Sequence, residues 1–402
     1  MQNESKSRLK RRHLGHLAAR LDELPLHRLG DPRKRKGKWQ LATLVRAALV
    51  GLASGRKGLA DTEHLTDWLG AGARKVLRLP ARVPDTTLRD VIVGLDPGEV
   101  RALLHGAMRR ADRRKQFAQD FPLKVGSFDG KCSTTWLFDP PGAAQKYGQR
   151  QDDLAVVRTI TACLVSTPAR PCLDAFPIPP ETNEMGAFQA AWLAFEQAYG
   201  KGFLDVAMYD SGAASLANAT FLRDRGVHYL LCLTANQPTL LDEARRKLGG
   251  LGVQQALAET TDLDCTDIVT RRLYKTGDLA AFLDWGHLAT VLRVQCVRED
   301  RWSGEVRTED RYYLASLEPG ALADSDWLTL IRRRWAVENE CHNTFDKVLR
   351  EDDRPWIRLP QGMLVMHLLR RLAYSLLALY RGVTLRSERK RTQPWTGLLA
   401  DI

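Results

Sequence analysis

Residues 204–237 have the sequence LDVAMYDSGAASLANATFLRDRGVHYLLCLTANQ. The first seven residues form an apolar run that ends at Asp210, which predicts a short buried strand followed by a turn. Residues 214–225 have the pattern of a helix, and residues 227–234 predict a second strand. A strand, a helix and a strand in succession indicate an α/β layer with a central sheet.

The residues on either side of this stretch extend the same pattern. Upstream, residues 123–131 predict a strand that ends at Asp129, residues 156–166 predict another strand, and residues 184–199 predict an amphipathic helix. Downstream, residues 262–317 look strand-like and contain no long helix, so we place a β-rich insertion at about residues 243–318. Helices are expected again from residue 326 to about residue 381.

The first third of the chain differs from the rest in both pattern and charge. Residues 8–120 show helical spacing of leucines and alanines, which predicts an all-helical domain over residues 1–120 and a catalytic core over residues 121–402. The net charge of the chain is +12. Residues 1–124 contain 27 basic and 13 acidic residues, while residues 125–402 contain 33 basic and 35 acidic residues. A merely solvated basic surface is the alternative, but this asymmetry favours a domain that binds nucleic acid.

Composition excludes several other classes of protein. The seven cysteines form no CxxC pair, which argues against a disulfide framework or a zinc site and predicts a reducing cytoplasm. No stretch has the roughly 18 uncharged apolar residues that a membrane span needs, so no membrane partner is expected. The polar, basic start predicts no secretory signal.

Two acids at predicted strand ends suggest metal-dependent chemistry on phosphate. Asp129 precedes Gly130, and Asp210 precedes Ser211-Gly212, so small residues leave room for a substrate beside each carboxylate. Cutting a phosphodiester needs an activated attacking oxygen and a stabilised leaving oxygen, which two Mg²⁺ ions roughly 3.5–4 Å apart provide. Mg²⁺ prefers carboxylate oxygens. For either acid taken singly, a turn residue that caps the next helix is the better interpretation, and only the two together favour a site.

A third acid lies in residues 331–347, which have the sequence IRRRWAVENECHNTFDK. On an α-helix, Arg334 and Glu338 would share a face, as would Glu338 and His342. An ordinary surface ion pair is the alternative interpretation of the first pair.

Together these motifs resemble those of DDE-type insertion-sequence transposases, in the H-repeat-associated branch that carries a distinctive N-terminal domain. The resemblance covers nearly the whole chain in the expected order. Its passages are Asp31-Pro-Arg33 and Pro84–Arg89 in the first third, Asp129-Gly-Lys131, Asp210 with the segment Leu222–Gln237, and Trp335-Ala-Val-Glu338-Asn339.

The resemblance implies an RNase H-like catalytic core with a β-rich insertion between the second and third acids. It also implies that Asp129, Asp210 and Glu338 hold Mg²⁺, with Mn²⁺ as a substitute, and that the protein acts as a homodimer on DNA ends. Two positions depart from the wider group: Ile331 stands where a tyrosine is frequent, and Phe345 stands where a lysine is frequent.

Basic and polar side chains near these motifs are the expected contacts to double-stranded DNA. The basic turn at residues 31–38 and the basic face of residues 109–115 are expected to bind the duplex, and residues near the acids to bind transposon ends. A turn is the alternative role for Asn236 and Gln237, and packing is the alternative for His342. The full set is Arg33, Lys34, Arg35, Lys36, Arg109, Arg113, Lys131, Asn236, Gln237, Arg334, His342 and Lys347.

The sequence therefore predicts a transposase of the bacterial cytoplasm and nucleoid that cuts and joins DNA. A catalytically inactive, transposase-derived DNA-binding regulator is one alternative, which the departures at Ile331 and Phe345 keep open. A metal-dependent nuclease that does not join strands is another.

Overall fold

The computed structural model describes residues 2–34, 37–136, 154–385 and 393–402. The chain forms two compact units. Unit 1 comprises Met1–Phe121, Gly130–Asn183 and Val337–Ile402, and unit 2 comprises Pro122–Asp129 and Glu184–Ala336. Both units contain helices and strands, so the fold is mixed α/β, as the sequence predicts.

Unit 2 holds the alternating pattern from which the α/β prediction was made. Strand β1 starts here and continues beyond Asp129 into the part of the chain that belongs to unit 1. The elements are β1 (Val125–Trp136), α7 (Glu184–Tyr199), β4 (Val206–Tyr209), α8 (Leu216–Arg223), β5 (His228–Leu233), α9 (Pro238–Leu248), β6 (Ala258–Asp264), β7 (Asp267–Thr276), β8 (Thr290–Asp300), β9 (Val306–Ala315) and α10 (Asp324–Arg334).

The sheet of unit 2 has the strand order β1-β4-β5-β9-β8-β7-β6. Strand β4 pairs in parallel with both β1 and β5, and the pairings from β5 through β9, β8 and β7 to β6 are antiparallel. Four strands, β6 to β9, lie between β5 and α10, in the region that looks strand-like in the sequence. Its first strand, β6, starts at Ala258, before the expected residue 262.

Aromatic side chains pack α7 onto the start of the sheet. The Phe128 ring on β1 lies 6.0 Å from Phe188, 5.4 Å from Trp192 and 5.8 Å from Phe195, measured between ring centroids. All four side chains are buried. Because side chains alternate along a strand, Ser127 and Asp129 point away from α7, to the opposite face of the sheet.

Unit 1 is mainly helical. Helices α1 to α6 confirm the predicted all-helical first third, and the unit also contains strands and π-helical turns. Its other elements are β2, β3, two π-helical segments, α11, a third π-helical segment and α12. The bounds are α1 (Gln2–Asp22), α2 (Leu41–Ala53), α3 (Leu59–Trp68), α4 (Ala71–Leu77), α5 (Asp85–Gly94), α6 (Pro97–Arg113), β2 (Leu154–Leu164), β3 (Cys172–Pro177), the π-helical segments Val337–His342, Thr344–Val348 and Tyr380–Thr384, α11 (Pro360–Leu379) and α12 (Trp395–Asp401).

Helix α11 is the core element of unit 1 and packs against α2, α5, α6 and β3. Among the described residues, Pro360–Thr384 is long and apolar enough to cross a membrane by length and composition, but 94% of its apolar 18-residue stretch is buried inside the protein. A core helix of a globular domain passes the same test. The buried Asp174 on β3 binds Arg101 and His105 of α6, which fixes α6 to the strand.

One boundary between the compact units falls between Phe121 and Pro122, next to the predicted division at residue 120, but the units combine other parts of the chain than the two predicted domains. The helices of residues 1–121 cluster with the last 66 residues of the chain and with residues 130–183. The boundaries of the two proposed domains, and the RNase H-like character of the core, stay predictions.

Candidate active site

Asp129 and Asp210 lie at neighbouring positions in unit 2. Phe128 on β1 is the register partner of Tyr209 on β4, so the two acids are the next pair along these parallel strands. Neighbouring strands are about 4.8 Å apart, so the two backbones hold the carboxylates side by side. Asp129 is buried, with 8% of its surface exposed, whereas Asp210 is half-buried. Two of the three predicted acids are thus brought together.

A further carboxylate that the sequence interpretation did not select lies beside this pair. Glu184 is the first residue of α7, and its Oε2 atom lies 3.5 Å from the hydroxyl oxygen of Tyr209. Burial raises the pKa of Tyr209 well above its usual value, and the charges of Glu184, Asp129 and Asp210 raise the pKa further. Three carboxylates therefore lie within electrostatic range of one tyrosine.

Gly212 lies against two of these acids. Its backbone N–H donates a hydrogen bond to Oδ1 of Asp210 at 2.7 Å. A Cβ atom at this position would lie 2.9 Å from Oδ1 of Asp210 and 3.0 Å from Oε2 of Glu184. Any side chain here would crowd both carboxylates, so the glycine allows Asp210 and Glu184 to approach the same stretch of backbone.

Arg334 reaches the same sheet from the end of α10. Its backbone carbonyl accepts a hydrogen bond from Ser127 Oγ at 2.8 Å, and Ser127 faces the same side of β1 as Asp129. The Arg334 guanidinium is buried and lies 3.9 Å from the ring centre of Trp335. Burial raises the pKa of Cys232 at the end of β5, Arg334 opposes this, and Asp210 adds to it. The charges of Arg334 and Asp210 therefore both lie close enough to Cys232 to shift its pKa.

Asn236 and Gln237 follow β5, as predicted, but the Asn236 amide has local partners. It donates hydrogen bonds to the carbonyls of Ser211 at 3.2 Å and Ala214 at 3.1 Å. Asn236 therefore fixes the loop that follows Asp210, which favours the turn role over a DNA contact. Gln237 caps α9 through its backbone only.

Glu338 belongs to unit 1 and lies in the first π-helical segment, half-buried. Its convergence with Asp129 and Asp210 stays a prediction. The expected α-helix over residues 331–347 is wrong: α10 ends at Arg334, and wider π-helical turns follow. The argument that Arg334, Glu338 and His342 share one α-helical face therefore fails, because a π-helix bonds residue i to i+5.

His342 is buried in unit 1, and its environment disfavours a positive charge. Burial lowers its pKa to about 3, and the charges of Arg371 and Lys131 contribute. A neutral ring gives no ionic contact to phosphate at neutral pH, which favours the packing role.

The remaining predicted DNA contacts differ in how available their charges are. The Arg33 guanidinium is occupied by Asp31 at 2.8 Å and by the Trp39 carbonyl at 2.9 Å. Lys131 is buried among acidic side chains, which favours a structural role. Arg35 and Lys36 lie outside the described residues. The solvent-exposed members of the set are Lys34, Arg109, Arg113 and Lys347.

The described ranges contain no group of three or more histidine, cysteine or acidic side chains arranged to hold a metal ion. Mg²⁺ commonly binds through only one or two protein carboxylates, with water and substrate phosphate as its other ligands. The pair of Asp129 and Asp210 fits that mode of binding. Glu184 adds negative charge next to it.

Comparison with known proteins adds little to this geometry. No protein-family model matches the chain, and no curated protein matches it. One similar solved structure is the cryo-EM structure of a piggyBac transposase synaptic complex with hairpin DNA. Its TM-score is 0.47 and its sequence identity is 10%, over 92% of this chain and 73% of that chain. At this level of similarity, the comparison assigns neither a family nor a function.

Proposed function

We propose that this chain is a DDE-type DNA transposase with an RNase H-like core. In this proposal Asp129, Asp210 and Glu338 together bind Mg²⁺, for which Mn²⁺ substitutes. The observation that carries the proposal is the placement of Asp129 and Asp210 directly after Phe128 and Tyr209, which are paired on the parallel strands β1 and β4. Carboxylates brought together from separate strands are what phosphodiester chemistry with hard cations requires.

The order of the strands is consistent with the proposed core. Strands β1, β4 and β5 pair in parallel in unit 2, as an α/β catalytic core with a central sheet requires. In unit 1 the strands β3 and β2 neighbour the other part of β1. The β-rich strands β6 to β9 then take the place of the insertion between the second and third acids.

In the proposed reaction, water first attacks a phosphodiester at the end of the element, and a 3′-hydroxyl is released. That hydroxyl then attacks a phosphodiester of the target DNA, so that one bond forms as another breaks. Bound Mg²⁺ supplies Lewis-acid stabilisation of the attacking and leaving oxygens. The protein itself contributes the carboxylates of Asp129 and Asp210 as ligands, and the backbone N–H of Gly212 orients the Asp210 carboxylate through a hydrogen bond to Oδ1.

The proposed partners follow from the charge distribution. Residues 1–124 carry the whole excess of positive charge, and Arg109 and Arg113 on α6 are exposed. This surface is proposed to bind the duplex of transposon ends and target, with two copies of the chain acting on two ends in the bacterial cytoplasm. The homodimer comes from the family resemblance.

The test uses supercoiled plasmid DNA that carries the genomic sequences flanking the coding region on both sides. With Mg²⁺ or Mn²⁺, the wild-type protein is expected to cut at these ends. Asp129→Ala, Asp210→Ala and Glu338→Ala should each abolish cutting while duplex binding is retained. Asp242→Ala, which removes an exposed acid of the same unit, is the matched control and should cut normally.

The two alternatives give different results in the same experiment. A regulator would bind the DNA but cut nothing in either metal. A nuclease would cut but would not join a pre-cut end to a target plasmid. If Asp129→Ala cuts the DNA at the wild-type rate, the assignment of the acids is wrong.

A further inference from the structure

Lys131 lies on β1, two residues after Asp129, in the part of the strand that belongs to unit 1. Only 7% of the residue is exposed. Its Nζ atom lies 2.6 Å from Oδ1 of Asp346, 3.3 Å from Oδ2 of Asp352 and 4.0 Å from Oε1 of Glu351. The ammonium therefore has three acidic neighbours and little access to solvent.

These acids are themselves held in place. Ser133, two residues further along β1, donates a hydrogen bond from Oγ to Oδ1 of Asp352 at 2.9 Å. Glu351 is fully buried and binds the guanidinium of the fully buried Arg371 on α11. Burial raises the pKa of Glu351, but Arg371 holds that pKa well below its usual range. The cluster is a set of ion pairs that connects β1, α11 and the residues between them.

The acids belong to the segment that follows Glu338 in the chain. Asp346 lies in the second π-helical segment, and Glu351 and Asp352 come directly after it. The first π-helical segment, which carries Glu338, precedes the second by one residue. Lys131 thus ties the strand on which Asp129 lies to the stretch that contains the third predicted acid.

We infer that Lys131 is a positioning residue, which fixes the π-helical stretch 337–348 on β1 through Asp346 and Asp352. The role of that stretch in catalysis rests on the proposed function. Lys131 does not bind DNA phosphate, because it is itself buried and its charge is already paired with Asp346 and Asp352. Lys131 thus holds the stretch of unit 1 that contains Glu338, and this positioning role can be separated experimentally from phosphate binding.

The first experiment needs no catalytic activity. Hydrogen–deuterium exchange of the wild-type protein is compared with Lys131→Met and with Asp352→Asn, a milder change at a half-exposed partner. Both variants should speed exchange in peptides covering residues 337–348. The control Lys201→Met removes an exposed lysine in a turn and should leave these peptides unchanged. Unchanged exchange in both test variants would overturn the inference.

The second experiment separates positioning from phosphate binding. A phosphate contact contributes about 0.9 to the slope of log affinity against log salt concentration, so Lys131→Met would reduce that slope by about one if Lys131 bound DNA. The inference predicts the slope and affinity for a 30-base-pair duplex to stay at the wild-type values. A reduced slope would contradict the inference.

The third experiment measures the cutting of the flanking-sequence plasmid. Lys131→Met should lower kcat by about 100-fold with KM unchanged, because small displacements of reacting groups cost about that much. Lys131→Arg, which keeps the charge, should recover part of the rate. If the wild-type and Asp129→Ala proteins are equally inactive while exchange still changes, the proposed function fails and the positioning role stands. If the wild type cuts and Lys131→Met has the same kcat, the inference fails alone.

Discussion

At the scale of residues, the candidate site of unit 2 includes a neighbouring carboxylate, Glu184, besides the predicted acids Asp129 and Asp210. Asp129 and Asp210 were selected from the sequence because each ends a predicted strand. Glu184 begins a helix, where an acid is ordinary because it favours the helix dipole, so nothing in the sequence marked it as part of a site. The fold alone places it beside Tyr209 and Gly212.

Replacement of Glu184 by glutamine keeps the volume of the side chain and removes its charge. We expect Mn²⁺ to bind about 10-fold more weakly, because outer residues around a metal site commonly contribute 10- to 100-fold to affinity. Isothermal titration of Mn²⁺ measures this change. Glu181→Gln, an exposed acid three residues earlier, is the control. Equal affinities of Glu184→Gln and wild type would remove Glu184 from the site.

Histidines buried in unit 1 predict how stability depends on pH. Burial lowers the pKa of His342 to about 3, and the charges of Arg371 and Lys131 assist. Between about pH 6.5 and 3 the unfolded chain therefore binds more protons than the folded chain, and stability falls as pH falls through this window. His367, whose pKa burial also lowers to about 3, acts in the same direction.

Replacement of His342 by glutamine should weaken this dependence. From pH 6 to pH 5 the free energy of unfolding should fall by about 1 kcal/mol less in His342→Gln than in the wild type. Urea unfolding at the two pH values measures the difference. The exposed His64 provides the control variant, His64→Gln. A variant with the same pH dependence as the wild type would show that His342 does not titrate in this way.

At the scale of elements, α7 and the first parallel strands form the support of the site. Phe128 lies one residue before Asp129 and packs against Phe188, Trp192 and Phe195 of α7. Its ring is parallel to that of Tyr209, with centroids 6.5 Å apart. Since Tyr209 precedes Asp210, one aromatic cluster underlies both acids.

Truncation of Phe128 should therefore destabilise the protein strongly. Phe128→Ala should lower the free energy of unfolding by about 3–5 kcal/mol, the usual cost of an aromatic cavity in a core. Denaturant unfolding, followed by circular dichroism, measures the loss. Trp302→Ala is the control, because 86% of Trp302 is exposed and surface substitutions usually stay within about 0.5 kcal/mol. Similar losses for the two variants would contradict the packing described.

The elements show why some parts of this fold follow from the sequence and others do not. Helix α7 was predicted with the bounds that the structure has, because its apolar period is regular. Strand β3 was missed, since its six residues are short and follow the proline-containing turn at residues 168–171. The pairing of Asp129 with Asp210 needed the register of β1 and β4, which no local pattern contains.

The third acid shows a different limit. Residues 331–347 have helical periodicity, and periodicity does not distinguish an α-helix from π-helical turns. The direction of the Glu338 side chain therefore could not be predicted from its spacing to Arg334. Likewise, Lys131 looked available for DNA because its acidic partners lie more than 200 residues away in the chain.

At the scale of the whole molecule, positive charge is concentrated in the first third of the sequence. The helices of that region end in the exposed basic face of α6, where Arg109, Arg113 and Lys115 are exposed. Arg114, directly after Arg113, forms an ion pair with Glu23 at 2.6 Å, so its charge is partly neutralised within the protein.

Duplex binding should depend on this face and on salt. If six to ten phosphates are contacted, affinity should fall by roughly 10³–10⁵ between 50 and 200 mM salt. Neutralisation of Arg109, Arg113 and Lys115 together by glutamine should reduce the salt slope by about three. Fluorescence anisotropy with a 30-base-pair duplex measures both the affinity and its dependence on salt. The exposed Arg245, Arg246 and Arg307 form the control set, and a slope that falls equally in both sets would exclude α6 as the binding face.

The most direct test of the central claim is a crystal structure of the wild-type protein with Mn²⁺, in which anomalous scattering locates the ions. The account predicts Mn²⁺ at coordination distance, about 2.0–2.4 Å, from carboxylate oxygens of Asp129, Asp210 and Glu338 around one site. Ions bound elsewhere, or a Glu338 carboxylate that does not reach the ion held by Asp129 and Asp210, would contradict it.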